Sequence, residues 1–444
     1  MLTAPDPRTS ASATRGASLP SLTGLRWVAA FLVFAFHLQI VEFFAPGPAE
    51  QVLERLFASG SVGVSFFFIL SGFVLMWSCA RDGYRRFWWR RFARVYPLHL
   101  VTALLVVGYL SVHDWHAVPG PPALIANLAL VQSWIPDVAF YQSVNTVSWT
   151  LSCEVFFYLL FPLIAAGVAR LRSRGLILVA AGSWLVTAAG PGLARLVAGS
   201  DAVELFFHWV PLGRLPEFVC GVALARLVRS AGAPRWRGLG RLAAVLTAGG
   251  YVLSAHVPGP WGVAACTMPG FALVLVAAAR SDVRECWTPW RGRVMVRLGE
   301  LSFAFYLVHL IVIRMFEGWF GYHPKLALGA GIGLTVSAFL LSLAAAWLLN
   351  VGVEGPARRL LLRRRSPAAD AVPIGTPGPG KRATIPRGRR EPEDHRRLPD
   401  QRGPGRQPAH RRASGPIVPP RQTAGPPRVA EPSGDRRADE APGR

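Results

Sequence analysis

The sequence predicts an all-α integral membrane protein of about ten transmembrane helices. Three observations predict it. The 444-residue chain is 52% hydrophobic and only 16% charged, with a mean hydropathy of +0.33, more apolar than a soluble protein of this size. Several apolar runs approach or exceed the roughly 20 residues that cross a bilayer as a helix. The basic residues gather in short stretches between those runs, as membrane orientation requires.

In chain order, residues 1–20 are polar and read as a flexible N-terminal segment. No small-residue cleavage site follows the first apolar run, so that run is expected to stay as a helix. Residues 21–360 form the membrane domain, with spans expected near 25–44, 60–80, 95–112, 150–169, 175–190, 204–225, 242–256, 261–279, 298–317 and 327–350. Pro211 and Pro216 suggest that the sixth span is a broken helix. The run 123–134 is apolar but short. Counting it as a span would reverse the basic loops that follow, so it is expected to be a re-entrant or interfacial helix on the outer side. Residues 366–444 are rich in Pro, Gly and Arg, with 16 Lys/Arg against 9 Asp/Glu. This tail is expected to be disordered, and its charge suits anionic lipid headgroups.

Ten spans place both termini on one side. The connections that would then be cytoplasmic (81–94, 170–174, 226–241, 280–297 and 357–365) hold 24 arginines, and the opposite ones hold only Arg55, Arg195 and Lys325. The expectation is a multi-pass protein of the cell membrane with both termini cytoplasmic. The net charge of +23 is therefore assigned to the lipid bilayer, and no nucleic-acid partner is expected. The five cysteines show no CxxC pattern, so neither a zinc site nor a disulfide framework is expected. The internal repeat of many transporters is missing from the sequence.

Ionisable side chains inside a membrane span are costly and mark function. Arg26 and His37 are eleven residues apart in the first span, which puts them on one helix face, roughly 16 Å apart along the axis. Arg26 is expected at the polar start of that span and His37 deep within it. His37 there is either a general base or a histidine bonded to a neighbouring backbone. Arg85 to Pro97 interleaves arginines with aromatics and reads as an interfacial helix. Arg91 and Arg94, three apart, share a face, and a pair of guanidinium forks suits a diphosphate; the stretch is also a topology signal. Glu154 sits about one turn into a span from its outer end, and a buried carboxylate needs a partner. Tyr306 and His309 share a face and either line a cavity or bond across helices. His208, Arg214 and Glu217 form a further intramembrane polar group. Glu354, before Gly355-Pro356, reads as structural.

Together these stretches resemble acyltransferase family 3, the polytopic membrane O-acyltransferases of bacterial glycan and antibiotic modification, over about residues 19–360. Gly24-Leu25-Arg26 with His37 resembles the family's Arg-x10-His motif, and Gly63 to Phe73 its second-span signature. Arg91-Phe92-Ala93-Arg94 resembles its Arg-x-x-Arg motif. Ser152-Cys153-Glu154 with Tyr158 is similar to its Ser-x-Glu segment, and Leu298 to His309 resembles its ninth span. Cys153 departs from the family, where a glutamate or another polar residue is common. The chain looks like the stand-alone form.

The resemblance implies transfer of an acyl group, acetyl foremost, from acyl-CoA as co-substrate, with no permanently bound cofactor. The acceptor implied is a hydroxyl of a sugar or of a small natural product such as a macrolide; a cell-envelope glycan is the alternative. A transporter or flippase is the reading from another class. In the implied roles, His37 is catalytic and Glu154 orients the imidazole or the acceptor. Arg26, Arg91 and Arg94 bind the donor, and Ser152, Tyr158, Tyr306 and His309 line the substrate.

Overall fold

A computed structural model describes residues 18–78, 83–230, 238–257 and 259–363. The expected disordered tail and nearly all of the N-terminal segment lie outside these residues. Among the described residues the chain is helical, apart from one isolated parallel bridge between Phe44 and Leu326.

The first helix, α1 (Pro20–Val41), starts on a proline at a position where no backbone N–H is needed. After it come α2 (Pro48–Phe57), α3 (Val62–Trp77), α4 (Tyr84–His113), α5 (Pro121–Leu128) and α6 (Val138–Tyr141). Then follow α7 (Trp149–Ala169), α8 (Ser173–Ala194), α9 (Ser200–Trp209), α10 (Pro211–Arg229) and α11 (Leu239–Ser254). The last four are α12 (Met268–Val283), α13 (Arg293–Phe320), α14 (Leu328–Leu349) and α15 (Gly355–Arg363).

Among the described residues, eight helical stretches are long and apolar enough to cross a bilayer, which makes this an all-α, multi-pass membrane fold. The other two expected spans correspond to α10 and α11. The first carries Arg214, Glu217, Arg226 and Arg229 in its 19 residues; the second has only 16 residues.

Three local expectations change. The arginine-rich stretch and the span after it form one 30-residue helix, α4, with Pro97 inside it, so no separate interfacial helix exists there. The chain breaks at Val210, before Pro211, whereas Pro216 is carried within α10. Finally, α1 ends at Val41, because the apolar run continues into a buried loop through Phe43 and Phe44. Arg26 then lies six residues from the start of α1 and His37 four from its end.

The run 123–134 becomes α5, eight residues long, or about 12 Å, too short to cross. A 3-10 turn at Gln132–Trp134 follows. Side chains satisfy the irregular backbone beside it, as burial demands. Asn127 donates to Ser143 O at 2.9 Å, Gln132 to Ser148 O at 3.2 Å and Ser133 to Trp149 O at 3.1 Å. A ring nitrogen of His99 binds Asn127 O at 3.0 Å.

Two helix pairs position the site, both through small residues that let backbones approach. The α1 and α13 helices run parallel. A Cβ on Gly299 would stand 1.8 Å from Thr23 O, and further along Trp27 packs on Phe305 at 4.9 Å and Phe34 on His309 at 6.3 Å. The loops that leave these two helices are joined by Leu326 N–H to Phe43 O at 2.9 Å and by Lys325 to Glu42 at 3.1 Å. The α3 and α10 helices form the second pair. A Cβ on Gly221 would stand 1.9 Å from Ile69 O, and one on Gly72 2.1 Å from Phe218 O.

Candidate active site

Five helices, α1, α3, α4, α7 and α13, converge on a cavity. Its polar lining is Arg26 from α1, Ser71 from α3, Arg91 and Arg94 from α4, Thr150, Glu154 and Tyr158 from α7, and Ser302 and Tyr306 from α13. On α7 the lining residues Thr150, Leu151, Glu154 and Tyr158 recur at the three- and four-residue spacing of one helix face.

The charges of this cavity do not balance. Three guanidiniums line it with one carboxylate; Glu354, outside the lining, also acts on Arg26, and a positive excess remains. Glu154 Oε2 accepts a hydrogen bond from the Tyr158 hydroxyl at 2.7 Å. Arg91 Nε is buried without a partner, and the Arg91 guanidinium lies 5.7 Å from the Phe87 ring centre. A buried donor without an acceptor is costly, and excess positive charge in a low-dielectric cavity favours an anionic occupant.

His37 lines a second cavity, together with Trp149, His208, Trp209, Arg214 and Tyr306. Trp149 and Trp209 pack edge to face at 4.9 Å and give it an aromatic wall. Behind the wall, Arg214 pairs with Glu217 at 2.9 Å, donates to Ser65 Oγ at 3.0 Å, and sits 5.2 Å from the Phe68 ring centre. Its Nη1 is buried without a partner.

The expected single stripe from Arg26 to His37 is thus divided. Tyr306 and Val64 line both cavities. The Tyr306 hydroxyl donates to Val147 O at 3.2 Å and accepts from Thr150 Oγ1 at 3.1 Å, which holds the ring across the boundary.

The His37 imidazole turns inward, and its hydrogen-bond distances favour one tautomer. Nδ1 lies 2.8 Å from Val33 O; a carbonyl only accepts, so Nδ1 carries the proton. His309 Nδ1 lies 3.2 Å from Phe305 O and is protonated for the same reason. His309 Nε2 is then a bare lone pair, 3.2 Å from His37 Nδ1, and accepts from it. This leaves His37 Nε2 unprotonated and without a hydrogen-bond partner among the described residues, the arrangement a general base needs.

The sequence-derived site residues therefore separate into groups. Arg26, Arg91, Arg94, Glu154 and Tyr158 come together around the first cavity, His37 reaches the second, and Tyr306 touches both. Glu154 is bonded to Tyr158 and does not orient the His37 imidazole. Ser152 is buried and lines neither cavity, because two residues before Glu154 is about 200° around the helix. His309 is fully buried behind His37 instead of lining substrate space. Thr150 and Trp209 were not singled out from the sequence. Both are uncharged residues beside motifs that were, and only the packing shows their place. Among the described residues no cluster suited to a metal ion is present.

Comparison with known proteins shows the family of the chain. A family model described as an acyltransferase domain, acyltransferase family 3, matches residues 19–351. The chain is 40% identical to the acyltransferase MdmB of Streptomyces mycarofaciens over 378 residues, covering 80% of this chain and 97% of that protein. It is 25% identical to the exopolysaccharide production protein ExoZ of Rhizobium meliloti over 319 residues, 71% of this chain and 94% of the relative. It is 29% identical to the peptidoglycan O-acetyltransferase OatA of Listeria monocytogenes over 160 residues, 32% of this chain and 24% of the relative. No solved structure matches the chain. The chain belongs to acyltransferase family 3 and is a multi-pass membrane enzyme that moves an acyl group from a donor to a hydroxylated acceptor.

Proposed function

We propose that the protein is an O-acyltransferase carrying an acetyl group from acetyl-CoA to a hydroxyl of a sugar or of a small natural product such as a macrolide. The observation that carries the donor assignment is the charge excess of the first cavity. Coenzyme A is a polyanion with a thioester on a thin, extended arm. Arg91 and Arg94 grip its diphosphate by bidentate, charge-assisted hydrogen bonds, and Arg26, further in, steadies the remaining anionic group or the arm. The thioester then lies at Tyr306, on the boundary with the His37 cavity.

The chemistry is a single displacement at the thioester carbonyl. His37 Nε2 removes the acceptor hydroxyl proton as the oxygen attacks the carbonyl carbon. The carbon–sulfur bond breaks, and the departing thiolate takes the proton back from Nε2. An ester and a free thiol result, and His37 returns to its starting state. The aromatic wall of Trp149 and Trp209 suits a sugar ring, whose C–H faces pack on aromatic surfaces. ExoZ is an exopolysaccharide production protein and OatA a peptidoglycan O-acetyltransferase, which favours the sugar hydroxyl.

We place both termini in the cytoplasm, on the 24-to-3 division of basic residues between alternate connections. The donor cavity is then reached from the inner surface. His37, one turn from the other end of α1, meets the acceptor in the outer half of the membrane.

The test is to incubate membranes holding the protein with acetyl-labelled acetyl-CoA and a panel of glycosides, macrolides and glycan fragments. Labelled ester with stoichiometric thiol release supports the reading. Transfer from another acyl donor, with acetyl-CoA ignored, overturns the donor assignment, and movement of the panel across the membrane without ester formation overturns the chemistry.

A further inference from the structure

We infer that His309 is the positioning residue of the catalytic imidazole. Beside the Val33 carbonyl that sets the tautomer, it accepts from the His37 Nδ1 proton and strengthens that bond as charge develops in the transition state. The inference rests on His37 acting as the base.

Two histidines from different helices, 272 positions apart, meet ring to ring at 3.2 Å. Neither orientation is accidental. Each ring is tied through Nδ1 to the carbonyl four residues earlier on its own helix, Val33 for His37 and Phe305 for His309. His309 is further clamped by stacking on Phe305, with the rings 12° from parallel. It is fully buried and lines neither cavity. The only free lone pair it offers is on Nε2, and His37 Nδ1 is there to donate to it.

A base that accepts a proton at one nitrogen gains from an acceptor at the other. In the resting pair the Nδ1–H of His37 is shared between Val33 O and His309 Nε2. When Nε2 takes the acceptor's proton, His37 becomes an imidazolium and the bond from Nδ1 to His309 becomes charge-assisted, roughly doubling in strength. The gain exists only while His37 is charged, so it lowers the barrier without tightening ground-state binding. An acceptor behind the imidazole is the task a buried carboxylate performs in serine hydrolases. Glu154, the acidic residue expected in that place, is bonded to Tyr158 in the other cavity, and His309 stands where it would be needed.

The test compares His309→Leu, which removes the acceptor at similar volume, with His309→Gln, which retains an acceptor oxygen. Purified variants are first compared with the wild type for elution as a single species in detergent. With acetyl-CoA and a glycoside acceptor, His309→Leu is expected to lower kcat roughly 10- to 100-fold with both KM values unchanged, as loss of a charged hydrogen bond predicts. His309→Gln is expected to recover most of that loss. In a His37→Ala background, His309→Leu is expected to cost nothing further, because the two residues act as one unit. Wild-type kcat in His309→Leu overturns the inference, as does a His309→Gln that is folded yet as slow as His309→Leu. An additional, multiplicative loss in the His37→Ala background also overturns it, since a merely structural residue behaves that way. Should His309→Leu fail to fold, His309→Met takes its place. If His37→Ala retains full activity, the reading of His37 fails first, and the experiment reports that separately.

Discussion

Replacing Arg91 with leucine tests the donor cavity most sharply. The guanidinium lines a cavity in which three cations face one carboxylate, and its Nε is buried with no protein acceptor. Nothing in the protein loses an ion-pair partner when it is removed, so the cost falls on the anion it binds. One charge-assisted hydrogen bond contributes about 1.5–3 kcal/mol, and a bidentate fork lies at the upper end. At 1.36 kcal/mol per decade this raises KM for acetyl-CoA about 10- to 100-fold with kcat little changed. The control is S-acetylpantetheine, which bears the same thioester without the diphosphate. Arg91→Leu should leave its KM unchanged, and Arg91→Lys should restore part of the acetyl-CoA loss, since lysine keeps the charge but not the fork. The assay is thiol release under initial-rate conditions at fixed acceptor. Equal losses with acetyl-CoA and with S-acetylpantetheine would refute the assignment of Arg91 to the diphosphate.

Three further predictions concern the rest of the site. His37 Nε2 must be unprotonated to act as a base, so kcat should fall about tenfold per pH unit once acid protonates the ring, while the donor arginines hold their charge and leave the acetyl-CoA KM flat; a pH-independent kcat down to the unfolding limit contradicts this. Glu217→Ala leaves Arg214 as an uncompensated buried cation, which costs about 3–5 kcal/mol and should appear as a clear drop in thermal stability of the detergent-solubilised protein. Gly299→Val places side-chain atoms against Thr23 O, where even a Cβ would stand at 1.8 Å. It should force α1 and α13 apart at a cost of about 1–3 kcal/mol, with activity falling more than stability because the His37–His309 contact spans that interface; unaltered activity would show that the contact is not needed.

The fold class was legible because its signal is repeated: apolar runs of the right length, separated by arginines on alternate sides. The end of a helix was not. Phe43 and Phe44 extend the first apolar run beyond the helix end, because a buried loop needs apolar side chains as much as a span does. Composition therefore drew the span through residue 44, although α1 ends at Val41, four residues after His37. The charged members of the site were visible as intramembrane residues, each costly enough to demand a reason. Their grouping was visible only within one helix, as for Arg91 with Arg94 or Glu154 with Tyr158. Partnerships between distant helices leave no trace in spacing. His37 was expected to take its orienting partner from the acidic residue of the set, but the fold gives it His309, and Tyr306 lies across the expected passage. Ser152 was carried by its motif, yet helix geometry turns it away from the face that Glu154 and Tyr158 share.

The most direct test of the account is single-turnover acetyl transfer by wild-type protein and His37→Ala, both purified as folded, monodisperse species and saturated with acetyl-CoA. The account predicts that the variant still binds acetyl-CoA with wild-type affinity but forms ester at a rate reduced by about 100-fold or more, the usual contribution of a positioned general base. Ester formation by His37→Ala at the wild-type rate would contradict it.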